Sequence, residues 1–218
     1  MTLVVADVEI AFGAVTLFAG LSFRVDRGES VAVVGPSGSG KSSLLACISG
    51  LLTPAAGQIL VNGVDVTACD DDDRARLRSE VLAQVFQEPH LLDELDVLGN
   101  IEVPLRFNGV PADEARSRAQ RALDDVGVAH LTQRAPERLS GGEAQRVAVA
   151  RALARGRGVV LADEPTASLD RATAGAVADV LLGAAARSDV ALLVSTHDMS
   201  VAGRCDRVVD LTRFQATA

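Results

Sequence analysis

The sequence predicts an α/β domain with a mostly parallel core sheet covered by helices, an antiparallel β segment at the amino-terminal side and an inserted helical segment. Three observations predict it. Short β-rich runs alternate with helical patterns along much of the chain, the order that builds a parallel sheet. One such run, Ser30 to Val34, leads straight into a glycine-rich loop and then a helix. Hydrophobic residues make up 48% of the 218 residues, yet Trp and Tyr are absent, so the apolar mass is Ala, Val and Leu, as expected of helices packed on a buried sheet. A mean hydropathy of +0.24 excludes a disordered chain, and the length suits one domain with a small inserted subdomain.

Taken in order, Leu3 to Ile10, Leu21 to Val25 and Ser30 to Val34 read as strands, and a helix starts near Lys41. A turn at Pro54 to Gly57 precedes Gln58 to Val61 and Val64 to Val66, with Asn62-Gly63 between them marking a hairpin. Asp70 to Asp73 ahead of Arg74 to Arg78 place acids before bases, which suits a helix amino terminus better than a metal site. Leu82 to Phe86 is a strand ending at Gln87. From there to about Gln133 the pattern is helical, with Ala115, Ala119, Ala122, Leu123 and Val126 on one stripe and Gly127 in the capping position. Beyond Gly158 strand and helix alternate again: Val159 to Ala162, Arg171 to Ala186, Val190 to Ser195 and Val208 to Leu211. The expected division is a core of about 1–87 and 158–218 with a helical subdomain of about 88–157.

A formal net charge of −8 without a basic cluster offers no footprint for nucleic acid or anionic lipid. The longest uncharged stretch, Ser42 to Val64, is broken by Gly50, Pro54, Gly57, Asn62 and Gly63, so no membrane insertion is expected. Met1 to Ile10 carries Asp7 and Glu9 and lacks a signal peptide's basic start, which points to the cytosol. Cys47, Cys69 and Cys205 have no metal-ligand spacing and are expected as buried, reduced thiols.

Gly35-Pro36-Ser37-Gly38-Ser39-Gly40-Lys41-Ser42, followed by Ser43, matches the phosphate-loop pattern in its confirming context between strand and helix. Its glycines let backbone N–H groups curl around a β-phosphate at a helix start. Lys41 can reach the β- and γ-phosphates of ATP, and Ser42 can place its hydroxyl on Mg²⁺. The run Val159 to Ala162 ends in Asp163 and Glu164, and buried carboxylates at a strand end need compensation. Mg²⁺ and a reacting water supply it, with Asp163 suited to the metal and Glu164 to general-base work. Leu139 to Glu143 is the most discriminating segment. Ser140 and Glu143 form a capping-box pattern, but Gly141 and Gly142 lower helix propensity by about 1 kcal/mol each and make sense if a phosphate lies against bare backbone.

These motifs, with Ser168-Leu169-Asp170 and His197, stand in the order of the ABC ATPases, and the chain resembles that family over nearly its whole length. The resemblance implies a P-loop ATPase that forms an ATP-sandwiched homodimer, sits on the inner face of the membrane through permease subunits, and uses ATP and Mg²⁺. It makes Leu139 to Glu143 the signature motif that completes the partner's site, and Gln87 the Q-loop residue that senses Mg²⁺ and water. It makes His197 the switch histidine at the γ-phosphate and Ser168 to Asp170 the D-loop. Phe12, before Gly13, lies where the family has an adenine-stacking aromatic; an ordinary core Phe is the other reading. Glu143 departs from the family's commoner Gln.

Within the family, Val85 to Leu92 followed by Leu98 to Leu105, with Arg76 to Arg78 upstream, is similar to the MacB-like and LolD-like exporter branch. Members of that branch extrude macrolides, lipoproteins or peptides. The alternative is a regulatory module in which ATP clamps a signalling membrane partner without moving cargo. A soluble ABC protein of translation or repair would carry two cassettes or a long coiled-coil insertion, and neither is seen here. There is no Asn-Lys-x-Asp guanine-reading motif and no kinase catalytic-loop set.

Overall fold

The computed structural model describes residues 2–156 and 158–215. Met1, Arg157 and residues 216–218, which fall at the edges of the expected segments, lie outside the described residues. Two sheets organise the chain. The first is antiparallel, in the order β2-β1-β4-β5, from β1 (Leu3–Phe12), β2 (Val15–Val25), β4 (Ala56–Val61) and β5 (Val64–Asp65). The second is parallel, in the order β6-β7-β8-β3-β9, from β3 (Ser30–Val34), β6 (Leu82–Val85), β7 (Val159–Asp163), β8 (Ala191–Thr196) and β9 (Arg207–Asp210).

β2 begins six residues before the sequence pattern starts it, running through Gly20, which takes φ 71° where the pairing with β1 is irregular. β5 ends one residue short of Val66. Asn62 and Gly63, at φ 50° and 83°, make the hairpin turn that the dipeptide announces.

Seven helices are described: α1 (Lys41–Ile48), α2 (Asp71–Glu80), α3 (Val97–Phe107), α4 (Ala112–Asp125), α5 (Gly141–Leu153), α6 (Arg171–Arg187) and α7 (Met199–Ala202). Asp70 caps α2 by accepting from the Asp73 N–H at 2.9 Å, so the acidic run is a helix start. α4 buries the expected stripe of Ala115, Ala119, Ala122 and Leu123. It ends in a left-handed Gly127 (φ 74°), with Val128 N–H bonded to Leu123 O and Gly127 N–H to Asp124 O.

Alternation along the central strands divides the interior into two cores. Val160, Ala162, Leu192 and Val194 face a cluster with α3, α4, α5 and α6. Val159, Leu161, Ala191 and Leu193 face another with α1 and the antiparallel sheet. Among the described residues no helix is long and apolar enough to cross a membrane. The three cysteines are free, but only Cys47 is fully buried; Cys69 and Cys205 are half-buried, on a connecting loop and beside α7. Burial pushes the Cys47 and Cys205 thiols up to about 11.

One buried polar residue holds the segment that leads into α3. Asn100 is 1% exposed; its amide donates to Leu92 O (3.0 Å), Leu95 O (3.3 Å) and Asp96 O (3.0 Å), and its Oδ1 accepts from Leu92 N–H at 2.7 Å. Removing it takes the partner from Leu92 N–H, while Leu92 O keeps the Leu95 N–H at 3.2 Å. Asn100→Ala is therefore expected to lose about 2–4 kcal/mol in urea unfolding with an unchanged slope. A loss below about 0.5 kcal/mol would show that water replaces the amide.

Candidate functional site

The register of the parallel sheet decides where the site lies. Val85 pairs with Ala162, Asp163 with Ser195, and Thr196 with Val34. The residues just past these four strands therefore share one edge: the loop from Gly35, Gln87, Glu164 and His197. The carboxyl edge of a parallel sheet is where ligands bind in folds of this class.

The loop from Gly35 to Gly40 turns into α1 through a left-handed Gly40 (φ 96°). A Cβ there would sit 2.8 Å from Cε1 of Phe18, so β2 and the loop approach as closely as glycine allows. Pro36, Ser37 and Gly38 are exposed, while Ser39, Gly40 and Lys41 are buried. Ser39 Oγ finds no partner, the kind of buried orphan that a phosphate oxygen would satisfy. Lys41 Nζ donates to Gly35 O at 2.9 Å and Pro36 O at 3.3 Å and stands 3.4 Å from Glu164 Oε1. On the other side of that carboxylate, His197 Nδ1 lies 2.9 Å from Oε2. Glu164, 16% exposed, thus joins Lys41 to His197.

Glu164 also adopts φ 46°, a costly conformation for a side chain of its kind, and is held there by its N–H bonding to Ser195 O (3.0 Å) and Ser195 Oγ (3.2 Å). The same hydroxyl donates to Asp163 Oδ1. Ser195 therefore orients both acids, a role that the sequence reading missed. Its one trace in the sequence is a hydroxyl at the end of an otherwise apolar strand.

Ser42 and Asp163 line one cavity of about 110 Å³ with Leu45, Gln84 and Phe86. Two oxygen donors from different elements fit a hard divalent cation that keeps most of its waters. Gln87 is exposed, and its carbonyl accepts from Ser168 Oγ at 3.3 Å. Asp170 caps α6, accepting from Ala172 and Thr173 N–H at 3.0 and 3.2 Å, and hydrogen bonds from Thr173 hold its carboxyl below the ordinary range. Phe12 is 51% exposed at the tip of the β1-β2 hairpin, so the core-residue reading is overturned.

Ser140 caps α5 in a complete capping box. Glu143 Oε2 accepts from Ser140 N–H and Oγ–H, both at 2.8 Å, and Glu143 N–H reaches Ser140 Oγ at 3.3 Å. The backbone bond first, then the hydroxyl bond, hold the Glu143 carboxyl below its ordinary value. Packing adds a reason of its own for one of the two glycines. A Cβ on Gly142 would lie 2.5 Å from Thr173 Cγ2, so the close approach of α6 already requires that glycine, whereas one on Gly141 would lie 3.3 Å from Leu169 Cδ2, the end of a flexible side chain that can give way. Among the described residues no hydrogen bond or ion pair joins Ser140–Glu143 to Gly35–Ser43.

The family described as ABC transporter matches residues 18–167. The chain belongs to the ABC transporter family. This cassette is 43% identical over 198 residues to the lipoprotein-releasing system ATP-binding protein LolD of Pseudomonas fluorescens, covering 91% of this chain and 87% of that one. The protein of the same name from Xylella fastidiosa is 44% identical over 195 residues, 89% of this chain and 81% of its own. A dimeric ATP-binding cassette in a post-hydrolysis state, bound to ADP and Pi, superposes with a TM-score of 0.81 at 31% identity over 98% of this chain and 94% of that one. Membership makes this cassette an ABC-type ATPase that works with a membrane permease.

Because Thr173 is β-branched and stiff, its methyl cannot swing away from a new side chain on α5. Gly142→Ala is expected to cost about 1–3 kcal/mol in a thermal or urea melt. Adding Thr173→Ser, which removes that methyl, should recover most of it; a double variant no better than Gly142→Ala would locate the strain elsewhere.

Proposed function

We propose that this cassette, like ATPases of the LolD and MacB branch, powers an export permease, two copies hydrolysing ATP at two sites each built from both protomers. The observation that carries this reading is the separation within one chain: Lys41 and His197 both contact the Glu164 carboxylate, while Ser140–Glu143 caps a helix tied elsewhere. A second protomer would bring its Ser140 and Gly141, both exposed, to the phosphate side. The dimeric cassette at 31% identity supports that arrangement.

In this reading Gly35 to Ser43 cradle the phosphates with backbone N–H groups, and Lys41 exchanges its carbonyl partners for phosphate oxygens. Phe12, exposed on its hairpin, offers a ring face to the adenine. Mg²⁺, when bound, neutralises phosphate charge, and Ser42, Asp163 and Gln87 would hold it. Glu164 takes a proton from the attacking water, its second oxygen oriented by His197. Asp170 with Ser168, Ser140, Gly141, Gly142 and Glu143 present the partner's half of the site. Residues of about 88–157 act as the inserted helical subdomain. The Pseudomonas relative is named for lipoprotein release, and 43% identity over 91% of this chain supports a lipid-anchored cargo handled from the cytosolic face. ATP-dependent extraction of lipoproteins in liposomes holding the cognate permease tests the cargo; flux of unlipidated cargo alone would sink it.

Glu164→Gln keeps size and hydrogen bonding but removes the base, so MgATP should persist and hold two protomers together in light scattering. Adding Ser140→Arg should abolish that dimer while leaving nucleotide affinity within about twofold. A double variant that dimerises as well as Glu164→Gln alone would end the two-protomer reading. Phe12→Ala should weaken ATP by about 1–3 kcal/mol in a fluorescent-nucleotide titration without lowering the melting temperature. Unchanged affinity would take Phe12 out of the site.

A further inference from the structure

Gln84 breaks the apolar pattern of β6. Leu82, Ala83 and Val85 are each 5% exposed or less, while Gln84, among them, is half-buried. It pairs with Leu161, and alternation puts it on the face of the sheet that Leu82 and Leu161 share, the one covered by α1. That face is otherwise a hydrophobic core. Among the described residues nothing hydrogen-bonds to the Gln84 amide, although it carries both donors and acceptors.

What Gln84 does meet is the cavity of about 110 Å³ that Ser42 and Asp163 line. Every other side chain around it is apolar, Leu45 and Leu161 among them. The volume suits about three or four waters, and a buried water needs roughly two to four polar partners. Asp163 already takes the Ser195 hydroxyl on Oδ1, which leaves one carboxylate oxygen, the Ser42 hydroxyl and the Gln84 amide as the polar side-chain groups around the cavity. On packing grounds a Leu or Met would serve better here, adding hydrocarbon to the apolar wall and leaving no amide without a bond. Water held in this cavity has a use, however. A small hard cation such as Mg²⁺ keeps several of its waters when carboxylates and phosphates bind it, and those waters need acceptors for their hydrogens. Gln84 Oε1 is such an acceptor, and it brings no charge of its own.

We propose that Gln84 is a positioning residue on the cation side of the nucleotide site: its amide orders water in the cavity shared with Ser42 and Asp163, and through that water it orients the hydration shell of the divalent cation that enters with the nucleotide. This rests on the assignment of Ser42 and Asp163 to the cation above. Gln84 acts through water alone, so its loss weakens the hold on the cation and spares the metal-free nucleotide.

The test uses the full chain carrying Glu164→Gln, so that nucleotide persists. Into it go Gln84→Met, which keeps the length without an amide, Gln84→Glu, which keeps an acceptor, and Ser42→Ala as the cation control. A fluorescent ATP is titrated in EDTA and at a series of Mg²⁺ concentrations, and Mn²⁺ in D₂O replaces Mg²⁺ for spin-echo detection of the deuterons around the bound cation. Gln84→Met should need about tenfold more Mg²⁺ for the same gain in nucleotide affinity, with the EDTA affinity within about twofold of the parent and a shallower deuterium modulation. Gln84→Glu should keep the parent's Mg²⁺ requirement or lower it. A Gln that served packing alone would change the melting temperature and leave the Mg²⁺ requirement and the modulation as in the parent; that result overturns the proposal. So does an affinity loss equal in Mg²⁺ and in EDTA, which belongs to the nucleotide pocket and not to the cation. If Ser42→Ala leaves the Mg²⁺ requirement unchanged, the cation assignment of Ser42 falls. The modulation in Gln84→Met against its parent then decides this proposal by itself, a loss of deuterons upholding it and an equal depth overturning it.

Discussion

The structure depends on the parallel register of β6, β7, β8 and β3. Each of these strands is buried on both faces, and β7 shows what this demands: Val160 and Ala162 enter one core while Val159 and Leu161 enter the other. A slip by one residue would exchange the two sets and mismatch both cores. The same pairing brings the residues beyond Val34, Val85, Asp163 and Thr196 to a single edge. Packing far from the site thus fixes which chemistry can assemble there.

That edge is where local preferences are overruled. Glu164 sits at φ 46°, a strain of about 1–3 kcal/mol for a residue with a Cβ, and its carboxylate is drawn between Lys41 at 3.4 Å and His197 at 2.9 Å. Ser195 makes this tolerable by accepting the Glu164 N–H while donating to Asp163. A hydroxyl, two acids, a lysine and a histidine from three segments satisfy one another, and the set is held by strands that give its members little freedom to drift.

Much of this was legible in the sequence because periodicity and punctuation are local. Asn62-Gly63, the acid-led start of α2, the Ala stripe of α4 with Gly127, and the strand-loop-helix around Gly35 to Lys41 each carry their structural reason within a few residues. What was not legible depends on distance. Nothing near Gly142 announces that Thr173, thirty-one positions on, also needs its missing side chain, so this packing demand was not legible beside the phosphate argument. Ser195 looks like an ordinary polar position until the fold brings Asp163 and Glu164 to it. Phe12 was ambiguous because a Phe at a strand end reads alike in a core and on a surface. Cys69 and Cys205 look as apolar as Cys47, and only the packing around them separates the three.

The capping box bears on how two protomers can come together. Ser140 and Glu143 close on each other, and Gly142 is sealed against Thr173, so the start of α5 is complete within its own chain and needs no partner to be stable. Ser140 and Gly141 nevertheless stay exposed at a helix amino terminus, whose dipole favours an anion. The Glu143 carboxylate, held ionised by its two bonds from Ser140, already occupies part of that field. A second anion must therefore compete with it, and must do so with the larger charge and several oxygens of a polyphosphate. In the proposed two-protomer reading, an interface finished on each side and attractive across the gap only when such a group fills it would form with nucleotide and open once the terminal phosphate leaves.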